Sequence, residues 1–264
     1  MTPPILEVRD VVKTFGGIRA VDRCTLSVRP GTLTGLIGPN GAGKSTLFNA
    51  IVGLYAPDAG EIVFDGQPIT GLLPHEVVHR GLIKTFQIPR EFRNMTVLEN
   101  LLVSGPPAPG ERFLDYVRLF RGTPWTIPNR WKDLRGAQDA QQHRAEEVLA
   151  TVGLAQLRDE YAKNLSGGQK KLLELARVLM ARPKMVLLDE PVAGVNLTLT
   201  QKLLQVIEDL RQKGLTFFLI EHDMNVVMSR CEWIIVMHQG RTLTEGVAAE
   251  IKANPAVVES YLGG

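Results

Sequence analysis

The sequence predicts an α/β fold organised around one glycine-rich loop. Three observations support this prediction. The loop at 38–46 follows a segment, 32–37, that is apolar enough for a buried strand, and a helical segment comes directly after it. Two further hydrophobic runs, 185–189 and 216–220, have the length of buried strands, and both end at acidic residues. Buried strands joined through helical segments are typical of a sheet with helices packed on it.

The loop has the spacing G-x-x-x-x-G-K-[ST] and the strand–loop–helix context of a phosphate-binding loop. Its glycines allow consecutive backbone N–H groups to turn toward one anion, and the helix N-terminus adds partial positive charge. We predict that Lys44 reaches the β- and γ-phosphates and that the Ser45 hydroxyl is a ligand of Mg²⁺. The alternative is a glycine-rich turn that binds no ligand. The predicted nucleotide contacts here are Gly38, Pro39, Asn40, Gly41, Ala42, Gly43, Lys44, Ser45 and Thr46.

Composition limits the class of protein. The chain has 264 residues, 44% of them hydrophobic, which is ample for a sizeable core. Its formal net charge of +2 does not indicate a nucleic-acid partner. Cys24 and Cys231 occur in apolar, strand-like segments and are predicted to be small buried side chains in a reducing compartment. We find no secretory signal and no run of 18 apolar residues, so we expect a soluble cytoplasmic protein that is able to dock on a membrane protein.

Elements on either side of the loop are predicted from local patterns. Alternating apolar and polar residues predict strands within 5–37. Where they break, Phe15 is either a platform that stacks on an adenine ring or a core aromatic at a strand end. A hairpin arm is predicted at 60–66 and a short helix at 74–80. A strand is predicted at 83–86, and it ends at Gln87.

Gln87 stands at this strand end and is either a Mg²⁺ ligand that also positions water or an ordinary surface residue.

The character of the chain then changes. Thr96 and Glu99 have capping-box spacing at the start of a helix predicted at 96–103. A proline-rich linker at 105–110 precedes a basic, aromatic and amphipathic segment. This segment either lies on a lipid surface or partner, or packs on its own domain.

A second candidate anion site follows a helix predicted at 139–152. Ser166 is a good N-cap residue, and the two glycines after it expose backbone N–H groups at the start of a helix predicted at 170–181. The predicted nucleotide contacts of this site are Ser166, Gly167, Gly168 and Gln169.

The strand at 185–189 ends in two carboxylates. Asp189 fits a ligand of Mg²⁺-bound water, and Glu190 fits a general base for an attacking water. The alternative is a buried strand with acidic residues at its exposed end. After the strand at 216–220, His222 is either a hydrogen-bond partner of a γ-phosphate or a loop residue. The catalytic candidates are therefore Glu190, His222 and Gln87, and the metal candidates are Ser45, Gln87 and Asp189.

Five motifs follow one another along the chain: the phosphate loop, Gln87, L-S-G-G-Q at 165–169, V-L-L-D-E at 186–190, and His222. This order resembles the ATP-binding subunit of an ABC transporter over essentially the whole chain. The resemblance implies a RecA-like P-loop core with an antiparallel β sub-domain and an inserted helical sub-domain. It also implies hydrolysis of ATP with Mg²⁺ by a homo- or heterodimer. Each ATP would lie between the phosphate loop of one chain and the S-G-G-Q of the other.

The resemblance also implies a division of the single ABC ATPase domain, 1–264. The catalytic core with the β sub-domain is predicted at 1–87 and 166–246. The helical sub-domain is predicted at 88–165, with an insert at 105–135. Short helices at 247–252 and 255–261 belong to a C-terminal part, 247–264.

Several short segments are similar to the branched-chain amino-acid importer ATPases, specifically to the longer of that system's two ATPase subunits. They lie at 13–17, 84–87, 92–100, 190–196 and 259–263. The likeness implies import of a small polar solute, with a branched-chain amino acid as the first choice. It implies two transmembrane permease subunits, an indirect extracytoplasmic solute-binding protein, no nucleic acid, and a peripheral position on the cytoplasmic face of the inner membrane.

Two details of the likeness concern particular residues. The groove beside Gln87, with Ile88, Phe92 and Met95, is where the family docks a permease coupling helix. In the loop after the two carboxylates the family often has Asp where Asn196 stands, and an uncharged residue weakens any signalling between chains through that carboxylate.

Three other functions are considered beside branched-chain amino-acid import. Urea or amide importers and lipopolysaccharide exporters have similar ATPases. A non-transport ABC ATPase, a regulator or a nucleic-acid remodelling factor, usually carries coiled-coil arms or a second ATPase cassette, and this sequence has neither. A scaffold that binds ATP without hydrolysis is expected to lack Glu190 or Lys44, and both are present.

Overall fold

The computed structural model describes residues 3–85, 91–105 and 127–262. Contacts divide the chain into two compact units, one formed by 1–88 and 183–264 and the other by 89–182. Within the described ranges, no helix is both long enough and apolar enough to cross a bilayer.

A six-stranded sheet forms the centre of the first unit, in the order β10-β9-β3-β8-β7-β6. Strands β3, β6, β7, β8 and β9 are mutually parallel, and β10 is antiparallel to β9. Every residue of β3, β7 and β8 is buried, as expected for parallel strands covered on both faces. The α/β prediction is therefore confirmed. The strands are β3 Leu33–Ile37, β6 Leu82–Lys84, β7 Met185–Asp189, β8 Thr216–Ile220, β9 Trp233–His238 and β10 Arg241–Gly246.

A four-stranded antiparallel sheet, in the order β2-β1-β4-β5, belongs to the same unit. One hydrophobic cluster contains side chains from both sheets and from the helix after the glycine loop. Within it, the rings of Phe48 and Phe218 lie 4.9 Å apart. Cys24 and Cys231 are buried and unpaired, as predicted, and burial raises the pKa of Cys231 to about 12. The strands are β1 Leu6–Phe15, β2 Ile18–Val28, β4 Ala59–Phe64 and β5 Gln67–Pro68.

The helices of the first unit lie where the sequence predicts them to within a few residues, including one that the apolar spacing predicts at 198–213, with one addition. The additional helix, Met224–Arg230, was not predicted because it has only seven residues. It begins at an Asp cap, since Asp223 accepts hydrogen bonds from the N–H groups of Asn225 and Val226. The helices are α1 Lys44–Ile51, α2 Pro74–His79, α6 Leu197–Gln212, α7 Met224–Arg230, α8 Ala248–Ala253 and α9 Pro255–Leu262.

The second unit is helical among its described residues: α3 Val97–Ser104, α4 Ile127–Val152 and α5 Gly167–Met180. The predicted capping box is present at α3, where the Thr96 hydroxyl accepts from the Glu99 N–H and the Glu99 carboxylate accepts from the Thr96 N–H. Helix α4 begins earlier than the predicted residue 139, and the proline in its first turn is compatible with a helix.

This unit extends to residue 182, beyond the boundary at 165 that the sequence predicts. The cause is α5, which packs on α3 and α4. Its apolar face is buried there, including Leu172, Leu175 and Leu179. Most of the predicted insert at 105–135 lies outside the described residues.

Candidate nucleotide site

The glycine loop connects β3 to α1 in a conformation that only glycine adopts easily. Gly38 and Gly43 have φ of 151° and 98°. A Cβ on Gly38 would lie 2.1 Å from the carbonyl oxygen of Met237, and one on Gly43 would lie 2.2 Å from that of Ala20. Because Gly43 precedes α1 and has no side chain to cap it, the first N–H groups of the helix are left for a ligand.

Lys44 places its charge inside this loop. Its ammonium donates to the carbonyl oxygens of Gly38 at 2.7 Å and Pro39 at 3.0 Å. Burial lowers the pKa of Lys44, while the nearby carboxylates of Glu190 and Asp189 act to raise it. The loop, its lysine and the two carboxylates predicted from the sequence therefore form one electrostatic site.

Ser45 and Asp189 have the oxygen atoms that Mg²⁺ prefers. The Ser45 side chain is exposed on the first turn of α1, and the Asp189 carboxylate lies at the end of β7. A hydroxyl and a single carboxylate, completed by phosphate oxygens and water, fit the way proteins hold this ion. Gln87, the third predicted ligand, lies outside the described residues.

Glu190 turns away from the strand that precedes it. Its φ of 51° is unusual for a residue with a side chain, and its N–H donates to the Ile220 carbonyl oxygen at 2.9 Å. An Oε1 atom of Glu190 lies 2.9 Å from Nε2 of His222. The structure thus brings together the predicted general base and the predicted histidine. The spacing of these residues along the chain does not indicate this direct contact.

Glu221 is a residue of this site that the sequence reading missed. Its buried carboxylate accepts hydrogen bonds from the N–H groups of Val192 at 3.0 Å and His222 at 3.1 Å. Burial raises the pKa of Glu221, and the charge of Glu190 adds to this. The carboxylate holds the segment after Glu190 against the segment that contains His222. Its only signal in the sequence is its place directly after a buried strand.

Phe15 is not the core aromatic that one alternative describes. The residue is 43% exposed. The ring lies edge-on to Tyr55, with 5.1 Å between centroids, and the Lys13 ammonium lies 5.5 Å from its centroid. The ring is thus available to a flat ligand, as the other alternative requires.

The L-S-G-G-Q segment lies in the second unit and begins α5. The Ser166 hydroxyl accepts from the Gln169 N–H at 3.3 Å, and the Gln169 side chain accepts from the Ser166 N–H at 2.8 Å. The backbone at Gly167 is open, because a Cβ there would meet no atom within 4 Å. Ser166 and Gly167 are exposed, so this helix start is accessible to an anion.

A comparison with protein-family models shows the family of the chain. The model described as ABC transporter matches residues 21–193, a range that includes the glycine loop, the L-S-G-G-Q segment and both carboxylates. The chain belongs to the ABC transporter family. A second model, described as branched-chain amino acid ATP-binding cassette transporter, matches residues 241–264.

Known ABC proteins resemble the chain over nearly its full length. The high-affinity branched-chain amino acid transport ATP-binding protein BraF of Pseudomonas aeruginosa is 40% identical over 264 residues, covering 100% of this chain and 99% of BraF. The ADP conformation of MJ1267, an ATP-binding cassette of an ABC transporter, superimposes with a TM-score of 0.82 at 37% identity, covering 100% of both chains. The predicted family resemblance and the ABC ATPase fold are confirmed.

One solved relative is a dimer. It is the ATP-binding cassette MJ0796 in a post-hydrolysis state bound to ADP and Pi, with a TM-score of 0.70 and 26% identity. The match covers 92% of this chain and 98% of the MJ0796 chain.

Asn196 has a structural task in this ABC ATPase. Its side-chain oxygen accepts a hydrogen bond from the Leu199 N–H at 3.0 Å and so caps α6. Asn and Asp are equally good in this position, so the cap does not require a carboxylate.

Proposed function

We propose that the chain is the ATP-hydrolysing subunit of an importer for branched-chain amino acids. The observation that supports this most strongly is the coincidence of two likenesses. The chain resembles BraF over its full length, and its last 24 residues, 241–264, match a model specific to branched-chain amino-acid systems.

In this function the glycine loop holds the phosphates of ATP. Backbone N–H groups at the start of α1 and the Lys44 ammonium face the anionic charge, and Phe15 stacks on the adenine. Ser45, Asp189 and Gln87 hold Mg²⁺, which neutralises charge on the phosphates when bound. These assignments follow from the types of the residues and from the proximity of Lys44, Asp189 and Glu190 described above.

Glu190 accepts a proton from the attacking water. His222 is in hydrogen-bond contact with Glu190 and has a side chain that is 46% exposed, so it is accessible to a γ-phosphate. Glu221 fixes the backbone on both sides of this pair. The three residues together orient a base at the edge of the sheet where the phosphate loop also begins.

The active form is proposed to be a dimer with the nucleotide between two chains. The N-terminus of α5 has the features of an anion site, namely an exposed glycine and a serine cap. It is the second such site in one chain, and one nucleotide cannot easily use both sites of the same chain. A dimer places Ser166, Gly167, Gly168 and Gln169 of each chain at the γ-phosphate held by the other. The dimeric MJ0796 relative supports this arrangement.

The turn at 91–96 is proposed to dock on the permease. The buried amide of Asn100 holds this turn, accepting from the Phe92 N–H at 2.8 Å and donating to the carbonyl oxygens of Phe92 at 3.0 Å and Thr96 at 2.8 Å. The Arg177 guanidinium lies 5.0 Å from the Phe92 ring centroid, and Phe92 is 44% exposed. A half-exposed aromatic residue whose backbone is held by Asn100 and whose ring contacts Arg177 is suited to a protein interface.

The proposed complex contains two such ATPase subunits on the cytoplasmic face of the membrane and two permease subunits. An extracytoplasmic solute-binding protein delivers the amino acid. Uptake of radiolabelled leucine into vesicles that contain the complete complex tests the solute. We expect ATP-dependent leucine uptake that excess isoleucine or valine inhibits and excess urea does not. Absence of leucine uptake, together with ATP-dependent uptake of radiolabelled urea, would instead support an amide importer.

Replacement of Phe92 by aspartate is expected to uncouple the ATPase from transport. Loss of a buried interface aromatic typically costs about 2 kcal/mol or more, so the variant should co-purify poorly with the permeases and leucine uptake should fall about tenfold or more. ATP hydrolysis by the isolated subunit should be unchanged.

Val103→Asp is the matched control, because Val103 is also exposed in the second unit but lies outside the turn. It should leave both co-purification and uptake unchanged. Normal uptake by the Phe92 variant would show that the turn is not the docking site.

A further inference from the structure

Lys84 forms an ion pair with one of the proposed magnesium ligands. Its ammonium lies 2.8 Å from Oδ2 of Asp189, and the side chains are only 9% and 10% exposed. The same ammonium donates to the side-chain oxygen of Asn49 at 2.8 Å. Lys84 is the last residue of β6, Asp189 is the last of β7, and Asn49 lies on α1.

These contacts connect two parts of the nucleotide site, helix α1 after the phosphate loop and the end of β7. Asn49 lies four residues after Ser45, and so on the same face of α1. The backbone carbonyl oxygen of Asn49 also accepts from the N–H groups of Leu54 and Tyr55, which fixes the end of this helix. One ammonium therefore links the helix that begins with the phosphate loop to the carboxylate at the end of β7.

Stability alone is a weak reason for this arrangement. Withdrawing two charges from water is costly, and buried ion pairs are often replaceable by apolar side chains without loss of stability. The geometry suggests a different advantage. The ion pair engages Oδ2 and, within the part of the chain that the structure describes, leaves Oδ1 for another ligand.

We propose that Lys84 is a positioning residue for the magnesium–nucleotide site. By holding Oδ2 of Asp189 and the side chain of Asn49, it fixes the carboxylate relative to α1, so that the second carboxylate oxygen is available to the Mg²⁺ that accompanies ATP. This inference rests on the proposed ATPase function. Fixing a ligand through a neighbouring side chain is a common way in which proteins tune the affinity of a metal site.

The test is the gain in nucleotide affinity that Mg²⁺ produces. Binding of a non-hydrolysable ATP analogue is measured by calorimetry, once with EDTA and once with Mg²⁺, and the ratio of the two dissociation constants is compared between variants. For Lys84→Met we expect this ratio to fall about tenfold, in the range found for partners of metal ligands. Binding in EDTA should be unchanged, because the phosphate loop is intact.

Three further variants make the test specific. Lys184 lies directly before the start of β7 and forms an exposed ion pair with Asp65. Lys184→Met removes the same charge from this pair and should leave the ratio unchanged. Lys84→Arg should retain most of the ratio. Asn49→Ala, which removes only one of the two contacts, should give an intermediate value. If Lys84→Met does not fold, Asn49→Ala still decides the question.

A Lys84→Met or Asn49→Ala ratio equal to that of the wild type would overturn the proposal. An increased ratio would also overturn it, because it would mean that the ammonium competes with the metal ion. The proposed function fails in a different way: the wild-type chain would then bind no nucleotide in either condition.

Discussion

Glu190→Gln is expected to bind ATP as tightly as the wild type and to lose nearly all turnover. Glutamine has the same shape and can keep a hydrogen bond with His222, 2.9 Å away in the native site, but its amide cannot accept a proton from water. General-base catalysis contributes about 10²–10⁴-fold to rates, so kcat should fall by at least about 100-fold. Dissociation constants from calorimetry and steady-state phosphate release measure the two effects separately.

The variant should also form a stable dimer in the presence of ATP, because the nucleotide that joins the chains is not consumed. Size-exclusion chromatography with and without ATP detects this. Glu245→Gln is the matched control, since Glu245 is an exposed glutamate on β10 of the same unit, and it should hydrolyse ATP normally. Hydrolysis by Glu190→Gln close to the wild-type rate would exclude Glu190 as the base.

Ser166→Arg is expected to abolish hydrolysis while leaving nucleotide binding largely intact. The substitution removes the cap of α5, at a cost of about 1 kcal/mol, and places a cation at a helix N-terminus, which the helix dipole disfavours. Lys44 and Ser45 of the same chain are unaffected, so its own affinity for ATP should be retained. The bulky arginine side chain would stand between the N–H groups of this helix start and the γ-phosphate in the partner's site, and loss of such donors typically costs about 10²–10³-fold in rate.

Thr96→Ala controls for the loss of a helix cap. Thr96 caps α3 of the same unit through the same kind of capping box, so its loss should cost similar stability. We expect the isolated Thr96→Ala subunit to hydrolyse ATP at the wild-type rate. If it also lost activity, the effect of Ser166→Arg would reflect damage to the helical unit and not loss of an anion site.

Local patterns were sufficient to predict much of the fold and the candidate site. The glycine loop was predictable because its close backbone contacts at Gly38 and Gly43 exclude any side chain, which leaves a fixed spacing in the sequence. The caps at Thr96 and Ser166 were predictable because donor and acceptor lie within three residues of each other. The strand ending in Asp189 was predictable because a strand that is buried throughout needs an uninterrupted run of apolar residues.

Contacts between distant parts of the chain were not predictable in this way. Lys84 is 105 positions before Asp189, and no local pattern indicates that strands β6 and β7 are neighbours. Glu221 binds the N–H of Val192, which lies on a different loop. The compact helical unit extends beyond the predicted residue 165 for the same reason, since the packing of α5 on α3 and α4 depends on the tertiary fold.

The central claim is that each ATP is held between two chains, and mixing two inactive variants tests it most directly. Lys44→Ala removes the charge that faces the phosphates and should bind ATP much more weakly. Ser166→Arg retains this lysine but has a damaged second anion site. A heterodimer of the two has one intact composite site, formed by Lys44 of the Ser166→Arg chain and Ser166 of the Lys44→Ala chain.

We predict that each variant alone is inactive and that the mixture hydrolyses ATP at a fraction of the wild-type rate. The rate should rise as either variant is titrated into the other, and should reach a maximum near equal concentrations. Normal hydrolysis by Ser166→Arg as a monomer would contradict the account. So would a mixture that forms heterodimers, as judged by co-purification of differently tagged chains with ATP, and yet remains inactive.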